Sequence, residues 1–492
     1  MYGSPAAASD HFARRAMGFA FEALDHPSIA TIQAIYLVTL QEWGARRGSR
    51  AFIYIAMAIR MVQMLKPAIE TGSGQDFVVA ETARRVLWTC FMMEQFLSSG
   101  KDRPTMLRDE DLRISLPCSE QDYHFGTPTI VPMLNGELPH AVGPDSRVSE
   151  IGEFGHMILI ARLWRGVVTW IFEPSPQDNE DESQYQRLLE ELYHWHDSLP
   201  ARLQNRSGQI DLHITMGTGF PFAFIHCVFH CAIIFLHRRR LHLLGRQSNS
   251  TPNNNISSSS RDPWQVQTID AIFSSASAIT SLLTALESPS SQAYIFPLFT
   301  LFSSYTAATT VAYMSIRELI PQARSTSITI VRDNLRILRG MRESWALVEE
   351  WYEELGEMIK VLQNRAMGKH DGERGFGMED EEYSSLQLSG RSQTGQSPMS
   401  VSNSPTHHLA QQLASQGTPS TTSTSLEAAA VLERMRDPRD GNGSAGGLGT
   451  PHMGPSNPQE GMAILSLYEE QLATSGDLAA FLGSEQYANG SH

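Results

Sequence analysis

"ETARRVLWTCFMMEQFLSSGKDRPTMLRDEDLRISLP" runs from residue 81 to residue 117 and joins two kinds of sequence. As far as Leu97 its apolar residues recur at the three- and four-residue step of a helix face. Beyond it, Lys101, Arg103, Arg108 and Arg113 balance Asp102, Asp109, Glu110 and Asp111 around Pro104, so this part has no net charge to draw in an ionic substrate. The charges are expected to pair with one another, in a loop that holds two parts of a fold together. Leu112, Ile114 and Leu116 then alternate with Arg113 and Ser115, a short extended piece stopped by Pro117.

Working outward, helical spacing dominates the first 365 residues. Phe52, Ile55, Ile59 and Val62 follow one helix face in "SRAFIYIAMAIRMVQML". The same step recurs in "SIATIQAIYLVTLQEW", "FGHMILIARLWRGVVTWIF", "SQYQRLLEELYHWHDSL" and "VQTIDAIFSSASAITSLLTAL", and in one run from 328 to 363. The expected fold class is therefore all-α, a multi-helix domain over residues 10–363. Residues 173–183 and 245–263 are rich in Pro, Ser, Asn and charge and read as loops between helices.

From 364 to 462 the chain turns to Gly, Ser, Thr, Pro and Gln, the composition of a disordered low-complexity linker. A different signal closes the sequence. Over residues 463–486, Leu465, Leu467, Tyr468, Leu472, Leu478, Phe481 and Leu482 stand among Glu469, Glu470, Asp477 and Glu485. Acids that keep an apolar face solvated until a groove accepts it suit a partner-docking, activation-type segment; a terminal helix packed on the main domain fits the pattern too.

The 492 residues carry a formal charge of -15, and residues 366–492 alone hold 15 acidic against 6 basic side chains. No clustered Lys and Arg provide an electrostatic footprint for nucleic acid. Four cysteines suit a reducing compartment better than a disulfide framework. The first residues lack the basic start and apolar run of a secretory signal. Residues 221–236 fall short of a membrane span, and 288–316 is diluted by Pro297 and many hydroxyl side chains, so both read as buried helix and no membrane partner is expected.

Little in the chain promises catalysis. His226, Cys227, His230 and Cys231 recur at i and i+4, but neighbours on a helix point about 100 degrees apart, so the four cannot converge on one ion. "HRRRLH" (237–242) reads as a helix end, where Arg238, Arg239 and Arg240 meet the negative end of the dipole. "DNEDE" (178–182) is similar to the acidic motif by which helical terpene cyclases hold magnesium. That alternative, a metal-dependent enzyme, needs the acids on a helix facing a cavity, and they follow "EPSPQ" on an apparent loop. Phosphate-loop, dinucleotide and nucleophile-elbow motifs are missing, so the expectation is a non-enzyme with no cofactor.

In order, Ala58, Ile59 and Arg60, then Arg84, Arg85 and Trp88, then Arg103 and Pro104, then Asp109 and Asp111 leading to Leu116 and Pro117, resemble the middle homology region of fungal zinc binuclear cluster transcription factors. Leu192, Trp195, Leu199 and Pro200 are similar to the family's later Leu-Pro segment, and residues 224–241 to its late helix ending in His-Arg, which would make His226 and His230 packing residues. Departures occur at Glu94 and Gln95, at Asp102, and at Met64, Leu65, Lys66 and Pro67. The resemblance implies a nuclear transcription regulator whose tail engages the transcription machinery or co-regulators, with homo- or heterodimers of family members possible. The family reads DNA through an N-terminal six-cysteine, two-zinc module. The first cysteine here is Cys90, so zinc and direct DNA contact are expected only of that missing module, and the chain reads as a truncated gene model, a fragment, or a protein that lost its DNA-reading half.

Overall fold

Small polar caps set the first helix starts. Ser4 accepts the Ala7 N–H, Ser28 that of Thr31, and Asp76 that of Val78, each satisfying an amide the helix itself leaves unpaired. The computed structural model describes residue 2 and residues 4–71, 76–139, 147–173, 178–248, 263–287, 296–320 and 323–368. Thirteen α-helices occur among them. The first five are α1 (Pro5–Glu22), α2 (Ile29–Gly44), α3 (Gly48–Thr71), α4 (Phe77–Leu97) and the short α5 (Glu120–His124). There follow α6 (Glu153–Phe172), α7 (Asp178–Asp197), α8 (Gln209–Thr215), α9 (Gly219–Ser248), α10 (Pro263–Leu286), α11 (Leu298–Ile316), α12 (Arg324–Met341) and α13 (Leu347–Gly368). The described residues hold no strand, only the isolated bridges Ser115–Met133 and Ile130–Val148.

α1 to α4 pack as sequential neighbours, and α4 hands over to α6. α9 is the centre of the second half, in contact with α6, α7, α8, α10 and α11. Every residue of α11 except Tyr313 is buried, so this uncharged segment, hydroxyl side chains included, lies in the core as expected of a buried helix. Aromatic rings knit these elements: Trp164 meets Phe235 and Phe299 edge-on at 5.3 and 5.1 Å, and Tyr305 stacks on Trp351 at 5.6 Å. Both helices long and apolar enough to cross a membrane, Gly219–Arg240 and Pro263–Leu286, take part in this packing. Gly44, at the end of α2, lies against Trp345, ahead of α13, where a side chain would collide with the indole.

Four expectations need correction or sharpening. "DNEDE" is not a loop but opens α7, since acids in a first turn are favoured by the positive end of the helix dipole. Arg238, Arg239 and Arg240 do not close a helix, because α9 continues to Ser248; Asp181 and Glu182 of α7 pair with Arg239 and Arg240, while Arg238 lies over the Phe235 ring. The run 328–363 divides into α12 and α13 at a turn that follows Met341. The extended reading at "DLRISLP" survives as a single bridge, preceded by a 3-10 turn at Asp109–Asp111. The linker at 364–462 begins on the last residues of α13; its remainder from 369, and the segment 463–486, lie outside the described residues.

Candidate functional site

The family-motif residues converge on α4 and the strap that leaves it. Glu94 is almost fully buried near the end of α4, and its carboxylate accepts the backbone N–H groups of Met106 at 2.6 Å and Leu107 at 3.0 Å. Burial pushes its pKa up, while those two N–H groups and the guanidinium charges of Arg165 and Arg60 pull the other way. Three turns earlier Glu81, with no exposed surface, accepts the Cys118 N–H at 3.0 Å and Arg85 Nε at 3.1 Å, and pairs with Arg84. Between these two anchors the Trp88 indole N–H donates to the Ser115 carbonyl at 2.8 Å, and Leu116 N–H to the Pro132 carbonyl at 2.9 Å. Leu116 and Pro117 are buried beneath.

Within the strap Arg108 pairs with Asp111, 2.9 Å away and largely exposed. Asp109 and Arg103 instead reach beyond it, so the expected self-pairing holds for one pair and not for these two. Asp109 binds Arg162 of α6. Arg103 donates to the Leu97 carbonyl at 3.1 Å and lies 5.0 Å over the Phe52 ring of α3, with Pro104 exposed beside it. Lys66 donates to the Asp111 carbonyl, and Arg165 to that of Ser98. From α3, Ala58 and Ile59 face the core, while Arg60 donates to Gln63 at 2.9 Å and Gln63 to the Met106 carbonyl at 3.2 Å. The strap is thus clamped to α3, α4 and α6 by groups that a helix-to-helix connection of mere convenience would not need.

Arg85 stands where the anchors meet open space. Besides Glu81 it donates to Glu120 Oε1 at 2.7 Å and to the Cys118 carbonyl at 2.9 Å, and its guanidinium lies 4.2 Å above the Tyr123 ring. Over that ring a cleft of about 460 Å³ opens between α2, α4, α5 and α6; its walls include Gln33, Tyr36, Leu37, Val86, Cys90 and Phe154. Burial pushes the Tyr36 phenol pKa up, and drives the Cys90 thiol to about 12, with the Glu94 charge adding to the latter. A thiol so shifted is an inert wall and no nucleophile. The i, i+3 and i+4 spacing of Glu81, Arg84 and Arg85 was a readable sign of this hub; nothing in the sequence pointed to Tyr36 or Tyr123.

The later motif lies apart from the cleft. Trp195 and Leu199 are buried, and Pro200 introduces a 3-10 turn at Ala201–Leu203 whose Leu203 carbonyl pairs with His226 Nε2 at 2.9 Å. His230 approaches Ser275 Oγ at 3.3 Å, so both histidines serve packing between α9 and its neighbours. Burial lowers their pKa values to about 4 and about 3, and leaves them uncharged at neutral pH. Of the "DNEDE" acids, Asp181 accepts the Trp170 indole N–H at 2.8 Å and pairs with Arg239 at 3.1 Å, while Glu182 pairs with Arg240 at 2.9 Å. These two carboxylates balance Arg239 and Arg240, an internal use that lends the cyclase-like reading no support.

The motif residues therefore build an all-helical scaffold whose named charges serve internal clamps, with an apolar cleft beside them. Residues 4–197, the span from α1 to α7, match the family model described as the fungal specific transcription factor domain. Among curated proteins the chain is similar to a Zn(2)-C6 fungal-type transcription factor, FTF1c, of Fusarium oxysporum f. sp. lycopersici: 25% identity over 358 residues, covering 69% of this chain and 37% of that protein. It is also similar to two fission-yeast (Schizosaccharomyces pombe) proteins. For the transcriptional regulatory protein PB1A11.04c the identity is 28% over 382 residues, covering 70% of this chain and 54% of the relative. For C1327.01c it is 26% over 259 residues, covering 48% and 26%. The chain therefore spans only about a third to a half of the length of the first two. No solved structure matches it. A two-zinc cluster does not fit the residues present: the sequence has four cysteines, and all four are buried in the helical core as free thiols.

Proposed function

We propose that this chain is the regulatory part of a transcription regulator of the fungal zinc-cluster type, acting in the nucleus on RNA polymerase II transcription. The observation that carries the reading is the match of residues 4–197 to the fungal transcription factor domain, over the very helices whose charged positions serve clamps and no reaction centre. On this reading residues 10–363 form the regulatory domain and 364–462 a linker. Residues 463–486, with Leu465, Leu467, Tyr468, Leu472, Leu478, Phe481 and Leu482, recruit transcription machinery or co-regulators. The chain itself contacts DNA indirectly, through a separate module or through a homo- or heterodimer with a family member, and uses no metal within these 492 residues. Dual engagement of this kind suits an acidic segment whose apolar side chains order only on a partner.

The test tethers the full chain to an unrelated DNA-binding domain and reads reporter output. A second fusion carries residues 461–492 alone. Output from both, reduced when Tyr468, Phe481 and Leu482 become Ala, is expected. A full-length fusion that neither raises nor lowers the reporter refutes the regulatory reading, whereas silence of the short fusion alone removes only the role of the tail.

A further inference from the structure

We propose that the cleft between α2, α4, α5 and α6 is a binding site for an uncharged aromatic small molecule whose oxygen accepts a hydrogen bond from Tyr36. Three observations lead there. At about 460 Å³ the space is of the size that small-molecule sites have. Its walls are the aromatic faces of Tyr36, Tyr123 and Phe154 with Leu37 and Val86, the apolar lining that takes a flat ring. The Tyr36 hydroxyl, on a half-buried side chain, has no hydrogen-bond partner among the described residues, and neither does the Gln33 amide at the rim. A phenol hydroxyl at the cleft that no protein group accepts is free to donate to a ligand oxygen.

The charge of the ligand follows from Arg85. Its guanidinium is already held by Glu81, Glu120 and the Cys118 carbonyl, and Arg84 and Arg85 together are offset by those two carboxylates. An anionic ligand would gain little attraction here and would lose its hydration on entry. A neutral one loses nothing by the balance. Thr82 and Tyr123, joined at 2.9 Å through their hydroxyls, hold the opposite wall. The proposal stands independently of the transcriptional reading.

The full-length protein is titrated with 2-acetylnaphthalene, a neutral aromatic ketone, and with 2-naphthoate, its anionic counterpart of like shape, using calorimetry and intrinsic tryptophan fluorescence. Saturable binding of the ketone is expected. It should weaken three- to tenfold in Tyr36→Phe, which removes one hydrogen bond and leaves the ring, and should vanish in Thr89→Phe, which fills the cleft from a half-buried helix position. Unchanged circular dichroism and melting temperature verify each variant. The proposal is overturned if the ketone does not saturate, if Thr89→Phe binds it as the parent does, or if the naphthoate binds equally or more tightly. A synthetic peptide of residues 461–486 that binds the cleft when the ketone does not would make it a peptide socket and equally overturn the proposal.

Discussion

Glu94 offers the most direct perturbation of the clamped strap. Its two carboxylate oxygens each accept a backbone N–H from the strap, at 2.6 and 3.0 Å, within a site where the side chain has almost no exposure. A hydrogen bond to a charged group contributes about 1.5–3 kcal/mol. Glu94→Ala removes two such bonds and strands the Met106 and Leu107 amides, and relief of a desolvated charge offsets part of that loss, so a net cost of about 2–4 kcal/mol is expected. Glu94→Gln retains one acceptor but turns an amide N–H₂ toward a second donor, for a cost of about 1–3 kcal/mol. Arg108→Ala is the internal control: its pair with Asp111 is 70% and 52% exposed, and such pairs contribute about 0–1 kcal/mol and fade with salt. Urea unfolding followed by tryptophan emission gives the stabilities, and hydrogen exchange reads the Met106 and Leu107 amides directly. Parental stability in Glu94→Ala, or exchange at those two amides no faster than in Arg108→Ala, would refute the clamp.

Acid should destabilise the fold through its histidines. His156, His226 and His237 have pKa values lowered to about 4 and His230 to about 3, in each case first by burial. With folded values below the ordinary 6.5, the unfolded chain binds the protons first, so the stability is complete above about pH 6.5 and is lost as pH falls toward 4, by up to about 1.4 kcal/mol per pH unit for each group. A urea midpoint flat between pH 7 and 4.5 would contradict this, although the raised pKa of Glu94 acts in the opposite sense. Gly44→Ala should cost about 1–3 kcal/mol, since its Cβ would enter the Trp345 ring; a smaller residue at 345 should restore the loss, and failure to do so counts against the contact. Asp181→Ala should cost about 3–5 kcal/mol, because it strands Arg239 and the Trp170 indole N–H in a pair only 12–14% exposed. An unchanged thermal midpoint would show that α7 is held by other means.

Periodicity made the fold class legible, because a three- and four-residue apolar step has no strand equivalent: α3, α6, α9 and α10 all stand where the pattern placed them. It misplaced features where two elements far apart in sequence satisfy each other. Arg239 and Asp181 lie 58 residues apart, so the arginines looked like a helix end and the acids like a loop, each judged without its partner. Likewise the strap looked self-paired because its charges cancel in number, whereas Asp109 pairs with Arg162, 53 residues away. Cancellation by count is a property of composition; pairing is a property of distance, which the sequence does not carry. The cleft was invisible for a related reason, since no local pattern announces a tyrosine whose ring packs while its hydroxyl stays without a partner.

Clamping and recognition divide the same helix between them. On α4 the carboxylates of Glu81 and Glu94 face the strap, and Thr82, Val86 and Thr89 face the cleft, so the strap side fixes the orientation of the wall that the cleft presents. Arg85 touches both: one side chain ties Glu81, Glu120 and the Cys118 carbonyl together and roofs the Tyr123 ring. A ligand that pressed on Tyr123 would therefore act on the α5 anchor, and through Arg85 on the start of the strap, without any contact to the strap itself. Coupling of this sort requires differential affinity for two arrangements of Arg85 and Glu120, of which Glu120 is the more exposed, at 42% against 13%. Any such coupling would have to pass through the Arg85–Glu120 pair, whose carboxylate is its more exposed member.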